Sequence, residues 1–491
     1  MAPIVLALLM TLAACRSPSQ KANNAEMLYD QAVAAGDYRT AIRQIRLAIA
    51  QNDAEARYWI KLGRASLAAS AYPDAYSAYS QALALQPDNI EALQTVAQIA
   101  LLSGNLQTAR QYVETLQVLA PQDPRGRLIA GNIALRQNHL DEAAGIADGL
   151  IKDGVDADEV YILKAQVLDR QRRFADAAAA LEPRVAASQN KPALLDQLLT
   201  IYRHEGNREG TESTYRRFIA VAPDDPVHAL QYARLLWADG RTDQARKLAA
   251  DVLGRNPASG DVKLKVASFW ADAAPTAVAM PEMLRIAGTG SLTLKAAIAQ
   301  RLVDMGQAQT AFTLLDPLVG KEDVDAGNVP AQVAYAYALR GIGRLPAARA
   351  RVDAVLDFDK TNASGLRLRG ELALAGGDLD QALTDTQLLV SVAPDFEPGA
   401  ILLGRVYAAR GDRVLADQSF ARATANFPDS IGVLQANIDY LTGQKRMGQA
   451  LSLAARFATT HPDTRAARAI LIATCRKAGS ACILATKEKG A

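Results

Sequence analysis

The fold is decided by residues 58–89, which read YWIKLGRASLAASAYPDAYSAYSQALALQPDN. We interpret this segment as two helices packed as a pair. Gly63 is small enough to let the first helix approach the second closely, and Ala75 does the same from the other side. Tyr79 is large enough to fill the gap to the next pair. Pro87 ends the second helix because proline lacks the backbone N–H and clashes with the preceding turn.

The same pattern recurs along the chain with a period of 34 residues. Three groups of prolines keep this spacing: Pro87 and Pro121; Pro223 and Pro257; and Pro394, Pro428 and Pro462. Glycines keep it as well: Gly206 and Gly240, then Gly343, Gly377 and Gly411. Short elements such as Gly36-Asp37-Tyr38 predict a turn within each unit. A fixed period of this length indicates an array of repeated helix pairs.

A 34-residue period with an internal turn and a terminal proline resembles the tetratricopeptide repeat, TPR. Residues 58–89 match the family pattern at Trp59, Leu62, Gly63, Tyr72, Ala75, Tyr79, Ala82 and Pro87. Residues 401–430 match it at Leu403, Gly404, Tyr407, Gly411, Ala416, Phe420, Ala423 and Pro428. The resemblance implies an all-α fold, a right-handed α-solenoid (superhelix) of TPR helix-turn-helix units.

We expect about thirteen units. They begin near Ala25, Ala56, Ile90, Pro124, Asp158, Pro192, Pro226, Gly260, Leu292, Val329, Ala363, Glu397 and Ile431. A C-terminal capping helix, Thr464 to Lys477, would cover the last apolar face, as solenoids require. Abundant Ala and Leu, which are strong helix formers, agree with this fold class.

The register of the repeats breaks once. Between Pro257 and Pro394 lie 137 residues, four periods plus one, and Pro275 and Pro281 fall where helix is expected. We interpret residues 258–330, including the polar stretch KEDVDAGNVP, as a degenerate joint. It would separate two TPR arrays, and a capping helix and tail would follow them: residues 26–257, 331–462 and 463–491. The alternative is one unbroken solenoid with a degenerate repeat.

The chain begins with an apolar stretch too short to span a membrane. Residues 2–14 would measure roughly 20 Å as a helix, whereas a bilayer core requires about 30 Å. The sequence Leu12-Ala13-Ala14-Cys15 resembles the bacterial lipobox. This resemblance implies that residues 1–14 are a cleaved signal peptide and that Cys15 is lipidated. The other interpretation is an N-terminal helix with an incidental cysteine, since no basic residue precedes Ile4.

The segment that follows is polar. Residues 15–25 would then be the lipidated cysteine and a tether. Arg16 directly after the cysteine favours an outer-membrane lipoprotein that faces the periplasm, with an inner-membrane-anchored periplasmic protein as the alternative. Contact with a membrane would therefore be through the N-terminal lipid alone.

Composition and motifs argue against catalysis and nucleic-acid binding. The chain has 54 Lys and Arg against 52 Asp and Glu, and no long block of like charge. The four histidines fall in four different units and lack metal-ligand spacing, and phosphate-loop and nucleophile motifs are missing. We expect no enzyme, no metal, no cofactor and no small-molecule substrate.

Two cysteines lie close together near the C-terminus. Cys475 and Cys482 enclose RKAGSA, in which Gly479 provides for a turn. In an exported protein this pair predicts a disulfide that joins the end of the chain to the capping helix. A free, buried Cys475 is the alternative.

The remaining candidate site is the surface formed by the first helices of the pairs, which line the concave face in the TPR family. Side chains assigned to this face by register are richer in arginine and amides than in carboxylates: Arg57, Arg64, Gln98, Asn132, Gln166, Arg203, Arg234, Gln300, Tyr337, Arg340, Arg367, Glu371 and Arg405. Arginine presents a forked donor set that suits carboxylates. An acidic or polar extended ligand is therefore one hypothesis, and a solvated helix face is the other.

The resemblance implies a protein–protein interaction scaffold. Envelope-anchored TPR lipoproteins serve export and biogenesis complexes, and among their partners we expect envelope proteins of an assembly or secretion system. Exopolysaccharide export is the first hypothesis; pilus or secretion assembly and outer-membrane assembly are others. Direct binding of polysaccharide or peptidoglycan by the groove is the alternative. It is disfavoured because the assigned positions include a single aromatic residue, Tyr337.

Overall fold

The structure, a computed structural model, describes residues 17–188, 191–461 and 464–479, which form 27 helices. The chain divides into two compact units between Asp225 and Pro226. The first unit contains six helix pairs: α1 (Pro18–Ala34) and α2 (Tyr38–Ile49); α3 (Ala56–Ala68) and α4 (Tyr72–Leu85); α5 (Ile90–Leu102) and α6 (Leu106–Leu119); α7 (Pro124–Arg136) and α8 (Leu140–Lys152); α9 (Asp158–Arg170) and α10 (Phe174–Ala187); α11 (Lys191–Glu205) and α12 (Arg208–Val221).

The second unit contains seven pairs and a closing helix: α13 (Pro226–Ala238) and α14 (Thr242–Arg255); α15 (Gly260–Ala273) and α16 (Thr276–Gly288); α17 (Leu292–Asp304) and α18 (Ala308–Val319); α19 (Val329–Gly341) and α20 (Leu345–Phe358); α21 (Ala363–Gly376) and α22 (Leu379–Val392); α23 (Glu397–Arg410) and α24 (Arg413–Asn426); α25 (Ile431–Gly443) and α26 (Met447–Thr460); and α27 (Arg465–Lys477). The predicted all-α fold of thirteen helix pairs is confirmed. Pairs from the second onward begin within a residue of the predicted positions.

The closing helix α27 packs as its pattern predicts. Ala467, Leu471 and Cys475 form one apolar cluster with Leu453 and Phe457 of α26. The buried side of α27 covers the last pair, and its exposed side carries Arg465, Arg476 and Lys477 next to Ile472, so α27 closes the stack with a partly polar surface. Cys475 is disulfide-bonded. Cys482 lies outside the described residues, so its pairing with Cys475 stays a prediction.

In twelve of the thirteen pairs, the turn between the two helices uses a left-handed residue at one repeated position; the turn at Ala274 and Pro275 between α15 and α16 is the exception. Glycine fills most of these turns, and four are filled by Ser70, Asn138, Arg172 and Lys445 with φ between 58 and 62°. Ser70, Asn138 and Arg172 lie on the 34-residue period that runs through Gly104, and Lys445 lies one period after Gly411. The backbone therefore requires a positive φ at this position, whichever residue occupies it.

The first helix begins earlier than predicted. Helix α1 starts at Pro18, and the Ser17 side chain accepts a hydrogen bond from the Gln20 N–H while the Gln20 side chain accepts one from Ser17 N–H. Ala22 and Ala25 on this helix are buried. The expectation of a polar tether up to residue 25 is therefore wrong for residues 18–25, because a capping box starts a helix there. Residues 1–16, with the predicted signal peptide and Cys15, lie outside the described residues.

The predicted joint over residues 258–330 is also corrected. This stretch contains two regular pairs, α15 with α16 and α17 with α18, and the division between the two units lies before Pro226. Pro275 is the N-cap of α16, where no helical hydrogen bond is lost. Pro281 lies inside α16 and removes one such bond, while Ala279 and Met283 on either side of it remain fully buried. Packing therefore retains the helix.

The polar stretch after α18 is a structured turn. The Asn328 side chain donates to the Asp323 carbonyl at 2.8 Å, and the buried Gln332 side chain donates to the Glu322 carbonyl at 3.0 Å. Arg351 donates to the carbonyls of both Glu322 and Gly320. These bonds satisfy the backbone of the turn, as the next pair requires in order to dock against it.

Candidate functional site: the first-helix face

We call the surface made by the first helices of successive pairs the first-helix face. Within each unit the first helices contact one another, for example α5 with α7 and α15 with α17. All the predicted site residues lie on first helices. The register assignment therefore places them on the first-helix face of each unit, and the contacts of each side chain decide what it can bind.

Two predicted arginines of the first unit, Arg57 and Arg64, are paired with carboxylates of neighbouring first helices. Arg64 Nε donates to Glu91 Oε1 at 2.7 Å, and a second bond joins Arg64 Nη2 to Glu91 Oε2. The Tyr79 hydroxyl donates to the same carboxylate at 3.0 Å. The bonds from Arg64 are the main reason why the pKa of Glu91 lies below its ordinary value. Arg57 lies 3.5 Å from Glu26 of α1.

The second unit repeats this arrangement. Glu371 accepts hydrogen bonds from both Arg340 of the preceding first helix and Arg367 of its own helix, the latter at 2.8 Å. Arg234 donates to Asp272 of the next first helix at 3.0 Å. Ion pairs between successive first helices therefore occupy these arginines. We considered the hypothesis that arginines of the first-helix face are free to donate to an acidic ligand. It is not supported for Arg57, Arg64, Arg234, Arg340 and Arg367.

Tyr337 is buried rather than open to the face. Its ring is 4% exposed, with the Arg340 and Arg367 guanidinium carbons 5.2 and 5.8 Å from its centroid. Its hydroxyl donates to the Ser364 carbonyl at 3.2 Å, and burial raises its pKa. Tyr337 thus packs between helices and cannot stack on a ligand without a rearrangement. Its assignment as a groove residue is wrong, because the paired arginines cover it.

The other predicted residues differ in their availability. Asn132 donates to the Leu128 carbonyl of its own helix at 2.9 Å, and Arg203 donates to the Tyr215 hydroxyl. Gln98 and Arg405 are exposed. Gln166 donates to Gln197, and Gln300 to Asp304, at 2.9 and 3.1 Å respectively. Ligand binding by these positions stays a prediction.

The first-helix face of the first unit contains a groove of about 550 Å³. Its apolar lining includes Leu67, Tyr72, Ile99, Leu102 and Leu128. Leu102 and Tyr72 are 60% and 51% exposed, which leaves large apolar side chains open to solvent. The four first helices α3, α5, α7 and α9 all contribute to its walls. A concave surface of this kind is suited to bury apolar side chains of a ligand.

Polar side chains border this apolar floor. Gln98 and Arg125 lie toward its middle, and Glu159 lines its far end. Gln94 donates to Asp123 at 2.8 Å, so this amide is already held in place. Exposed groups of both charge signs next to apolar surface match the composition of a peptide-binding groove.

Sequence reasoning found Gln98 in this groove and missed its apolar floor. The predicted positions are mostly polar side chains in register and do not include Ile99 or Leu102. The signal was present: Leu102 is the last residue of a first helix, where a partner in the core is not available.

Among the described helices, none is long and apolar enough to cross a membrane.

Two family models match parts of the first unit. Residues 66–133 match one tetratricopeptide repeat family, and residues 27–90 and 128–192 match a second tetratricopeptide repeat family. A cellulose synthase operon protein C of Xanthomonas axonopodis pv. citri is 26% identical over 468 residues, which are 86% of this chain and 29% of that protein. This chain therefore spans less than a third of that relative's length.

Two further similarities are more distant. An auxiliary subunit of the N-terminal acetyltransferase A complex of Arabidopsis thaliana is 25% identical over 230 residues, 43% of this chain and 25% of the subunit. The solved structure of pilF from Pseudomonas aeruginosa covers 43% of this chain and 96% of its own, with 15% identity and a TM-score of 0.35.

Proposed function

Because the chain is a tetratricopeptide repeat protein, we propose that it is a non-enzymatic scaffold whose first-helix groove binds a segment of a partner protein. The observation that carries this proposal is the groove with exposed Leu102 and Tyr72. Burial of apolar area contributes about 25 cal/mol per Å², so these two side chains alone offer a useful share of a binding free energy. The polar border would fix the register of an extended or helical segment.

We further propose that the protein is held to the bacterial envelope by a lipid on Cys15 and serves an export or biogenesis complex. The resemblance of Leu12-Ala13-Ala14-Cys15 to a lipobox supports the anchor. The similarity to a cellulose synthase operon protein supports exopolysaccharide export as the first choice among such complexes. The partners would then be envelope proteins of that system.

A matched pair of variants tests the groove. Leu102→Glu places a charge on the apolar floor, whereas Val118→Glu places the same charge on the second helix α6, where Val118 is 82% exposed. Affinity capture from the native envelope with the full chain should recover one set of envelope proteins. Leu102→Glu should reduce that capture about tenfold or more, and Val118→Glu should leave it unchanged. Equal capture by both variants would overturn the assignment of the groove.

The anchor is tested separately with Cys15→Ala. This variant should keep its helical circular dichroism and leave the membrane fraction, because several acyl chains are needed for durable attachment. Retention of Cys15→Ala in membranes after a high-salt wash would contradict lipid anchoring. It would leave the groove proposal standing, since the two experiments have different readouts.

Direct binding of a polysaccharide is the second candidate function. Tyr72 offers one exposed aromatic ring at the groove, and a ring of this kind can stack on a sugar. If capture recovers glycan and envelope proteins are not enriched, and Tyr72→Ala removes that glycan, polymer binding replaces protein binding.

A further inference from the structure

A second groove lies away from the first-helix face, between the second helices α14 and α16. It encloses about 370 Å³, and Trp270 of α15 lines it. The groove is also lined by three cations, Arg246 and Lys247 of α14 and Arg285 of α16. Glu282 is the single carboxylate among its lining residues. Three cations against one carboxylate give this groove a net charge of +2.

The cations of this groove keep most of their donors available. The Arg246 guanidinium lies over two indoles, with its central carbon 5.5 Å from the ring centroids of both Trp237 and Trp270. Its distance to Glu282 is 3.6 Å, which is too long for a hydrogen bond. Glu282 is instead bonded to Arg285 through the Arg285 Nε at 3.0 Å. Glu282 therefore forms ion pairs with both guanidiniums, but among the described residues none accepts a hydrogen bond from their terminal nitrogens, which can still donate to an anion.

One buried donor of the same groove also lacks an acceptor. Trp270 is 2% exposed, and its indole N–H has no hydrogen-bond partner among the described residues. A buried donor without a partner costs about 1–3 kcal/mol.

A groove of the same kind in the first unit is different. Between α8 and α10, Lys164 lies 2.9 Å from Asp148 and Arg173 lies 2.8 Å from Asp176. Each cation there has its own carboxylate, so the groove is neutral. An excess of cations is therefore not a general property of spaces between second helices in this chain.

We propose that the α14–α16 groove is a binding site for a phosphate group. A phosphate carries close to two negative charges at neutral pH, which matches the net charge of the lining. Arginine forks bind its oxygens through charge-assisted hydrogen bonds, and Lys247 adds a point charge at the exposed edge. The site goes beyond the scaffold function, because it lies on different helices from the peptide groove.

The indoles provide a built-in probe for the test. The chain has three tryptophans, of which Trp237 and Trp270 contact Arg246, so Trp59→Phe leaves only the two reporters. Inorganic phosphate should change the fluorescence of this protein saturably, and sodium chloride at matched ionic strength should not. A response equal to that of sodium chloride would overturn the proposal.

Three variants locate the site. Lys247→Gln and Arg285→Gln should each weaken phosphate binding about tenfold, the scale of one charge-assisted contact. Lys164→Gln, which changes the neutral groove, should bind phosphate as the parent does. Because Lys247 is exposed, Lys247→Gln should keep the parent melting temperature, so a loss of binding in it cannot be ascribed to unfolding. Unchanged binding in both groove variants would overturn the assignment.

A further titration with glycerol 1-phosphate separates a free ion from a phosphate carried on a larger molecule. Similar dissociation constants for both ligands would show that the groove accepts an esterified phosphate. Binding of inorganic phosphate alone would show that it accepts the free ion. Either result supports the phosphate site, and failure of the peptide-groove experiment would leave this site unaffected.

Discussion

The ring of Tyr79 lies directly on the backbone of Gly63. A Cβ atom built on Gly63 would be 2.5 Å from Cε2 of Tyr79, and the same relationship joins Gly404 to Phe420 at 2.8 Å. Tyr79 and Phe420 are each 1% exposed. The close approach of the two helices of a pair therefore depends on the absence of a side chain at one position.

Gly63→Ala should destabilise the first unit by about 1–3 kcal/mol, because the new methyl group forces the buried ring of Tyr79 to move. Gly145→Ala is the matched control. Gly145 lies within α8 with nothing within 4 Å of its built Cβ, so alanine there should stabilise the protein by about 0.5–1 kcal/mol. Urea denaturation of the two variants should give shifts of opposite sign, and shifts of the same sign would contradict this account.

Arg172→Gly should stabilise the protein by about 0.5–1 kcal/mol. Arg172 has φ of 62° in the turn between α9 and α10, a conformation that costs a residue with a Cβ about 1–2 kcal/mol. Glycine removes this strain and loses some of the gain to its greater freedom in the unfolded chain. Thermal unfolding is the measurement. Gly206→Ala introduces the same strain at φ of 75° and should lower the melting temperature.

The first unit should lose stability at low pH, because protonation of Glu91 removes its charge. Hydrogen bonds from Arg64, together with that from Tyr79, lower the pKa of Glu91 below its ordinary value of 4.5. Its contribution to stability is therefore present above about pH 4.5 and is lost as the pH falls through the lower pKa of the folded state. The free energy of unfolding from pH 7 to pH 3 should fall less steeply in Glu91→Gln. Glu114→Gln, a charge change on α6, should keep the steepness of the parent.

The pH dependence of stability should have the opposite sign at His461, near the end of the second unit, where the contribution to stability is lost as the pH rises. Its Nε2 lies 2.9 Å from Asp429, and this bond, with one to the Phe457 carbonyl, raises the pKa of His461 above 6.5. The stabilisation is present below pH 6.5 and is lost as the pH rises through the raised pKa. Asp429→Asn should therefore lower the stability at pH 5.5 and leave it unchanged at pH 9. Equal effects at both values would show that the bond does not depend on protonation.

Most of the fold could be predicted from the period of prolines and glycines. The starts at Ile90, Glu397 and Ile431 follow from it directly, because Pro87, Pro394 and Pro428 lie between each of these helices and the one before it. The four turn residues without a glycine could not be found in this way, since Arg172 and Lys445 carry no sequence signal for a positive φ. Their position was nevertheless fixed by the neighbouring repeats.

The candidate site was harder to predict because its properties depend on neighbours that are distant in sequence. Arg64 pairs with Glu91 of the next helix pair, and Arg340 pairs with Glu371 of the pair after its own. Whether these arginines are available to a ligand therefore cannot be judged from one repeat alone. The α1 start is a different case. Ser17 and Gln20 form a capping box that the sequence contains, and the same polar side chains also fit a tether.

The repeated left-handed turn has a consequence for how such a chain can change over time. Each of these turns lies at an equivalent point of its helix pair. Genetic recombination between any two of them therefore joins an intact first helix to an intact second helix. A crossover of this kind removes or adds whole pairs and leaves the surviving interfaces of neighbouring pairs chemically similar. The length of the array can therefore vary in steps of one helix pair, whereas a deletion that begins within a helix exposes the buried side of that helix.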